Sequence, residues 1–218
     1  MNTEIRKIKQ EIKKWKPETK KALAGFKSVW SKKNKNVFSE LLFCLCTAQS
    51  SALKCDETIQ LIAKENCVEN GSKTKIKKCL HRRVRFHNNK TENILLAQKQ
   101  FSKNKKNKIK EILIEQNVEK NHLQTRDWLV KNVKGLGLKE ASHFLRNIGF
   151  YENIAILDRH TLRNLLRLRV IREIPAPPAD KKYLEIEKKT LRFCKQNKIK
   201  PEELDLVLWA RETGFVFK

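Results

Sequence analysis

Residues 37–49, VFSELLFCLCTAQ, are apolar almost all the way round a helix. A helix of that kind has no face for water, so other elements must enclose it. Those elements show in their own periodicity. Ile5, Ile8, Ile12 and Trp15 form one stripe of a helix over residues 3–15, and Leu53, Ile59, Leu61 and Ile62 mark another over 51–65. Pro17-Glu18 starts a second helix, which Gly25 weakens. Ser72 caps a short helix ending near Leu80. Residues 81–90, HRRVRFHNNK, read as a basic connector, and Thr91 as the cap of a helix running to about Lys99. Ile109, Ile112 and Leu113 point inward from a piece near 104–116, and Pro175, Pro177 and Pro178 mark a surface loop. Helices over 180–196 and 201–213 close the chain, the last opened by Pro201-Glu202-Glu203. Alternation at period two is almost absent. Six glycines and five prolines in 218 residues are too few for the turns of an all-β protein, so an all-α fold is expected.

No apolar stretch approaches the ~20 residues that span a bilayer. The N-terminus is charged throughout and has no apolar signal-peptide core. These features predict a soluble, cytoplasmic protein with no membrane partner. The six cysteines include no CxxC pair, so buried free thiols are expected and no metal or iron–sulfur site. The formal charge is +25, and residues 71–110 alone hold 14 basic residues against one acid, Glu92. A charge of that size calls for a polyanion, with nucleic acid the default partner. Charge alone also fits a solvated lysine-rich face or a ribosomal type of RNA binding.

The segment 125–149 is more specific. Thr125 is expected to cap a helix containing Trp128, Leu129 and Val133; Lys134-Gly135-Leu136-Gly137-Leu138 follows, then a helix from Lys139 to Ile148 closed by Gly149. Two glycines around one leucine allow a tight turn with outward backbone N–H groups, and the following helix turns its positive dipole end the same way. Such a turn can hold a phosphate without reading sequence, although many GxG turns only connect helices.

VKGLGLKEASHFLRNIG followed by AILDRHTLRNL resembles the helix-hairpin-helix DNA glycosylases. Within them the chain is most similar to the small 8-oxoguanine glycosylase/AP lyases of the second class. LLFCLCTAQS at 41–50, VRFHNNK at 84–90 and the closing WARETGFVFK fit that class, and the likeness runs over roughly residues 37–218. The iron–sulfur members, such as endonuclease III, need four cysteines near the C-terminus, where only Cys194 lies. First-class members carry an extra β domain for which there is no room, and monofunctional members usually lack a lysine at the position of Lys139.

The resemblance implies excision of 8-oxoguanine from double-stranded DNA, then strand cleavage at the abasic site, by a monomer without cofactor. Lys139 matches the nucleophile, and Asp158, nineteen residues later, the essential acid. Gly135 and Gly137 match the DNA-backbone contacts. Gln49, Trp209 and Lys218 match lesion recognition, Gln49 in the duplex hole or beside the flipped base and Lys218 through a docked chain end. Arg85 and Phe86 match the residues that contact the estranged base and wedge into the stack. Arg159 and His160 flank Asp158 as supports or phosphate contacts. The expected organisation is two helical lobes with a DNA cleft between them: residues 1–36 plus 121–218, including the hairpin, and residues 37–120. A glycosylase for another damaged base and a noncatalytic hairpin module are the alternatives. Lys139 as a solvated lysine and Asp158 as an ordinary helix cap are the plain structural readings of the same residues.

Overall fold

The computed structural model describes residues 3–104, 106–176 and 180–218. Among them are twelve helices: α1 (Thr3–Lys14), α2 (Lys16–Ser31), α3 (Asn34–Thr47), α4 (Ala52–Lys64), α5 (Lys73–Leu80), α6 (His87–Gln100), α7 (Ile109–Glu115), α8 (His122–Asn132), α9 (Leu138–Asn147), α10 (Arg159–Arg167), α11 (Asp180–Asn197) and α12 (Pro201–Thr213). One antiparallel ladder joins β1 (Ser102–Lys103) to β2 (Lys106–Asn107). The fold is all-α apart from that ladder, which is too short to show an alternating pattern in sequence. Pro177 and Pro178 of the expected loop lie outside the described residues.

Two caps expected from the sequence fall elsewhere. Thr91 lies inside α6, where its hydroxyl donates to the His87 carbonyl at 2.7 Å. The connector before α6 is therefore shorter than expected, and Lys90 belongs to the helix. Thr125 lies inside α8, fully buried, and donates to the Gln116 carbonyl at 2.7 Å. The cap of α8 is Asn121, whose side chain accepts from the Gln124 N–H at 3.2 Å. A threonine inside a helix bonds back to a preceding carbonyl, and this habit is indistinguishable by residue type from capping. Ser72 does cap α5, accepting from the Lys75 N–H.

The chain packs as two compact units. Residues 28–150 form one, organised on α3. Val37, Phe38, Leu41, Leu42, Phe43, Cys44, Leu45 and Cys46 are all buried, as a helix apolar on every side requires. α4, α6, α7 and α9 pack around it. Residues 1–27 and 151–218 form the other unit. Its core joins Ile8, Leu168, Phe193, Cys194, Ile199, Leu204, Val207 and Leu208, with Ile5, Ile12 and Trp15 at the edge. Arg211 of α12 pairs with Glu4 at 3.1 Å and Glu11 at 3.2 Å, tying α1 to the last helix. These units bound the hairpin differently from the division drawn on the sequence: α8 and α9 pack with the middle helices. The reason is α3, which would be bare on one side without α9.

All six cysteines are free and buried. Burial pushes the thiols of Cys46 and Cys194 up to about 12 and that of Cys55 up to about 11. A thiol raised that far holds almost no reactive thiolate near neutral pH. The native protein at pH 8 is therefore expected to resist iodoacetamide and to take up six labels only after denaturation, as mass spectrometry would count.

Candidate active site

The hairpin is built from three local decisions. Leu136 is buried and anchors the turn, while Lys134, Gly135 and Gly137 stay exposed. Gly135 has φ +94°, and a Cβ there would lie 2.3 Å from Asn93 Nδ2 and 3.3 Å from Leu45 Cδ2. The backbone demands glycine, and a Cβ would in addition have to push the Asn93 amide aside. Gly137 differs: its backbone is extended at φ −96° and ψ −177°, and a Cβ would meet only Glu140 Oε2, at 3.4 Å. Gly137 caps α9 with no side chain, so the first N–H groups of α9 meet no capping oxygen from that position. At the far end, Gly149 N–H donates to the Arg146 carbonyl and Phe150 N–H to the Leu145 carbonyl, the paired bonds of a Schellman close.

Lys139 is the second residue of α9. Its ammonium lies 2.9 Å from Glu140 Oε1, and the two side chains are 25% and 12% exposed. Glu140 is the residue here that the sequence reading did not single out; its adjacency in KEASHF is the signal that was available. Cys44 on α3 feels the charges of both. Its thiol is pushed well above the usual range, first by burial and then by Glu40, so it stays neutral. Glu40 in turn accepts from the Asn147 side-chain amide at 2.9 Å, fixing α9 against α3.

Asp158 stands at the start of α10. Its Oδ1 accepts from the Thr161 N–H at 2.7 Å, so it is a helix cap. The cap uses Oδ1, and a carboxylate keeps a second oxygen for other chemistry. The segment leading to it is held from α11. Ala155 N–H donates to Glu187 Oε1 at 3.0 Å, and the Tyr183 hydroxyl donates to the Ala155 carbonyl at 2.7 Å. In the same unit, His160 stands edge-on to Trp209 with ring centres 5.1 Å apart, and Phe217 lies at 6.4 Å on a 34° tilt. Phe215 contacts Phe217 in turn. The chain after Gly214 therefore folds back along α12, with Lys218 half-buried. Trp209 Nε1 and His160 Nδ1 are buried and have no hydrogen-bond partner among the described residues.

Gln49 lies two residues beyond the end of α3 rather than in its last turn. It is exposed and left-handed, at φ 54°. Arg85 and Phe86 are exposed as well; the guanidinium carbon lies 5.8 Å from the Phe86 ring centre. The Ser50 hydroxyl accepts from the Arg85 N–H at 2.9 Å, so this pair and Gln49 stand on neighbouring turns. No group of three or more His, Cys, Asp or Glu among the described residues is arranged to hold a metal ion.

The Ogg-HhH family model, described as 8-oxoguanine DNA glycosylase, matches residues 19–199. This chain belongs to that family. An 8-oxoguanine DNA glycosylase/AP lyase of Fusobacterium nucleatum is 42% identical over 216 residues, which cover 99% of this chain and 96% of the relative. The protein of that name from Methanocaldococcus jannaschii is 38% identical over 205 residues, covering 91% and 90%. Among solved structures, the M. jannaschii 8-oxoguanine glycosylase/lyase in complex with a 15mer DNA containing 8-oxoguanine superimposes with a TM-score of 0.83 at 34% identity, covering 96% of this chain and 98% of that one. The 8-oxoguanine DNA glycosylase of Thermotoga maritima gives a TM-score of 0.81 at 31% identity, covering 98% of each. No helix of this family member is long and apolar enough to cross a membrane among the described residues.

The two hairpin glycines should separate in a stability measurement. Gly135→Ala must adopt φ near +94° and displace the Asn93 amide, and should cost about 1–3 kcal/mol in urea denaturation. Gly137→Ala meets neither obstacle and should cost clearly less.

Proposed function

We propose that this chain excises 8-oxoguanine from double-stranded DNA and cleaves the strand at the resulting abasic site, with Lys139 as nucleophile. The observation that carries this reading is the placement of Lys139 at the start of α9, directly after a GLG turn, within a family whose solved M. jannaschii relative is in complex with DNA containing 8-oxoguanine. The exposed turn binds the DNA backbone through its N–H groups. The damaged nucleotide leaves the stack, since C1′ is unreachable inside it.

Attack needs Lys139 as the neutral amine, and Glu140 Oε1, 2.9 Å from Nζ, is within reach of the proton that must leave. The Nζ–C1′ bond forms as the bond from C1′ to the base breaks, and the base departs protonated. Opening of the sugar ring gives the Schiff base. The iminium acidifies the C2′ proton, whose removal expels the 3′ phosphate and cuts the strand. Water then releases Lys139. Asp158 supplies negative charge against the cationic character that develops on the sugar.

The base itself is read by the aromatic group on α12. 8-Oxoguanine differs from guanine by a donor at N7 and an oxygen at C8, so a pocket with fixed polar groups can separate the two. Trp209, with its open Nε1 donor, and Lys218 line that pocket. Gln49, Arg85 and Phe86 act on the duplex left behind: Phe86 wedges into the stack and Arg85 meets the edge of the estranged base. The protein works as a monomer on the nucleoid, in the cytoplasm.

Borohydride trapping on duplexes containing 8-oxoguanine, uracil, thymine glycol or an abasic site tests the reading. Wild type should give a covalent adduct with 8-oxoguanine and abasic duplexes; the absence of any adduct would leave a DNA-binding module. Lys139→Gln should lose trapping, excision and cleavage together while keeping its affinity for DNA. Asp158→Asn keeps an oxygen for the cap but no charge, and its single-turnover excision should fall about 10²-fold or more. Trp209→Ala should reduce 8-oxoguanine excision much more than cleavage of a preformed abasic site, because the second reaction needs no base pocket.

A further inference from the structure

One buried charge in the unit of residues 28–150 has no part in that chemistry. Lys90 lies in the first turn of α6 and is 4% exposed. Its ammonium donates to the Cys46 carbonyl at 2.6 Å, the Ala48 carbonyl at 2.7 Å and the Ser50 hydroxyl at 2.8 Å. Three donors meet three acceptors, so the group is fully satisfied. All three acceptors lie at or just beyond the end of α3, where a helix leaves carbonyls unpaired and favours a cation. Desolvation is the largest influence on Lys90 and lowers its pKa, which shows that the charge is held there at a cost. A hydrophobic residue would avoid that cost but would take the ammonium from all three acceptors, leaving the Cys46 carbonyl with the weak Cys55 thiol donor at 3.2 Å and the Ser50 hydroxyl with the Arg85 N–H.

The Ser50 oxygen carries the connection further. A hydroxyl has two acceptor positions, and this one also receives the Arg85 N–H at 2.9 Å. Lys90, Ser50 and Arg85 thus join the turn after α3 to the turn before α6. Each turn holds a residue in a conformation unusual for a side chain: Gln49 at φ 54° and Phe86 at φ 56°. Each presents its side chain to solvent, Phe86 with 55% of its surface exposed. A phenylalanine in the left-handed region with more than half its surface exposed is held more by its turn than by its packing.

We propose that Lys90 is a positioning residue: through Ser50 it locks the Gln49 turn and the Arg85-Phe86 turn into one rigid element that enters the duplex. This rests on the reading that those three side chains face DNA. A wedge that opens a stack is pushed back by it, and a loose loop would yield before the base pairs did. The ammonium makes the two turns move as one.

The test compares Ser50→Ala, Ser50→Thr and Lys90→Met with Arg85→Ala and Phe86→Ala. Ser50→Ala removes the link to Arg85 while Lys90 keeps both carbonyls, so the fold survives even if Lys90→Met does not. Unstacking is read from 2-aminopurine fluorescence beside the lesion, and chemistry from borohydride trapping on single-stranded abasic DNA, which has no stack to open. Ser50→Ala should slow unstacking and single-turnover excision on duplex about tenfold or more, leaving single-stranded trapping at the wild-type level. Ser50→Thr should restore the duplex rate, and Ser50→Ala should still slow an Arg85→Ala protein, because alanine at 85 keeps the backbone N–H that Ser50 holds and Phe86 still depends on that turn. Normal unstacking by Ser50→Ala beside slow Arg85→Ala and Phe86→Ala would overturn the tether and leave the wedge. Normal unstacking by Arg85→Ala and Phe86→Ala would overturn the duplex-facing reading and the tether with it. Equal losses on duplex and single strand would reduce Lys90 and Ser50 to general stability.

Discussion

The burial of α3 is the constraint on which residues 28–150 depend. A helix with no polar face must be wrapped, and two of the wrapping elements carry candidate site residues or their supports. α9 covers one side and brings Lys139 and Glu140 beside Cys44. α6 covers another and brings Lys90 to the open carbonyls at the end of α3. The same burial that closes the core therefore positions the start of the hairpin helix and the basic turn before α6. Sealing one hydrophobic helix is inseparable from placing these residues.

The helices of this chain are legible because their apolar stripes repeat at the helical period. α1, α5 and α12 begin and end within a residue or so of where the pattern puts them. The misreadings fall where residue type alone leaves the local geometry open. Thr91 and Thr125 look like caps; Thr91 instead bonds back one turn within α6, and Thr125 reaches the Gln116 carbonyl just past α7. The β1–β2 ladder pairs two residues with two, too few to alternate visibly. Gln49 is carried past the end of α3 by a left-handed turn that its residue type does not announce.

The candidate site divides the same way. Gly135, Lys139 and Asp158 sit at element ends, and element ends are written locally in turns and caps. Their positions at the hairpin, at the start of α9 and at the start of α10 follow from motifs a few residues long. The polar contacts of Lys90 are with residues 40 to 44 positions away, so no local pattern reveals that this lysine is buried among so many that are not. The aromatic group of His160, Trp209 and Phe217 likewise forms only when the chain after Gly214 turns back on α12.

The close approach of Gly135 to Asn93 has a consequence for how this surface can change. Where a Cβ at 135 would stand, the amide of residue 93 is already present, so two positions 42 residues apart share one small volume. Enlarging the first requires the Asn93 amide to swing aside or the residue there to shrink, and the left-handed backbone at 135 penalises every enlargement even then. The turn thus has fewer independent variables than its exposed residues suggest. Diversifying the hairpin of this scaffold means varying 93 together with 135, while positions such as 134 remain separately adjustable.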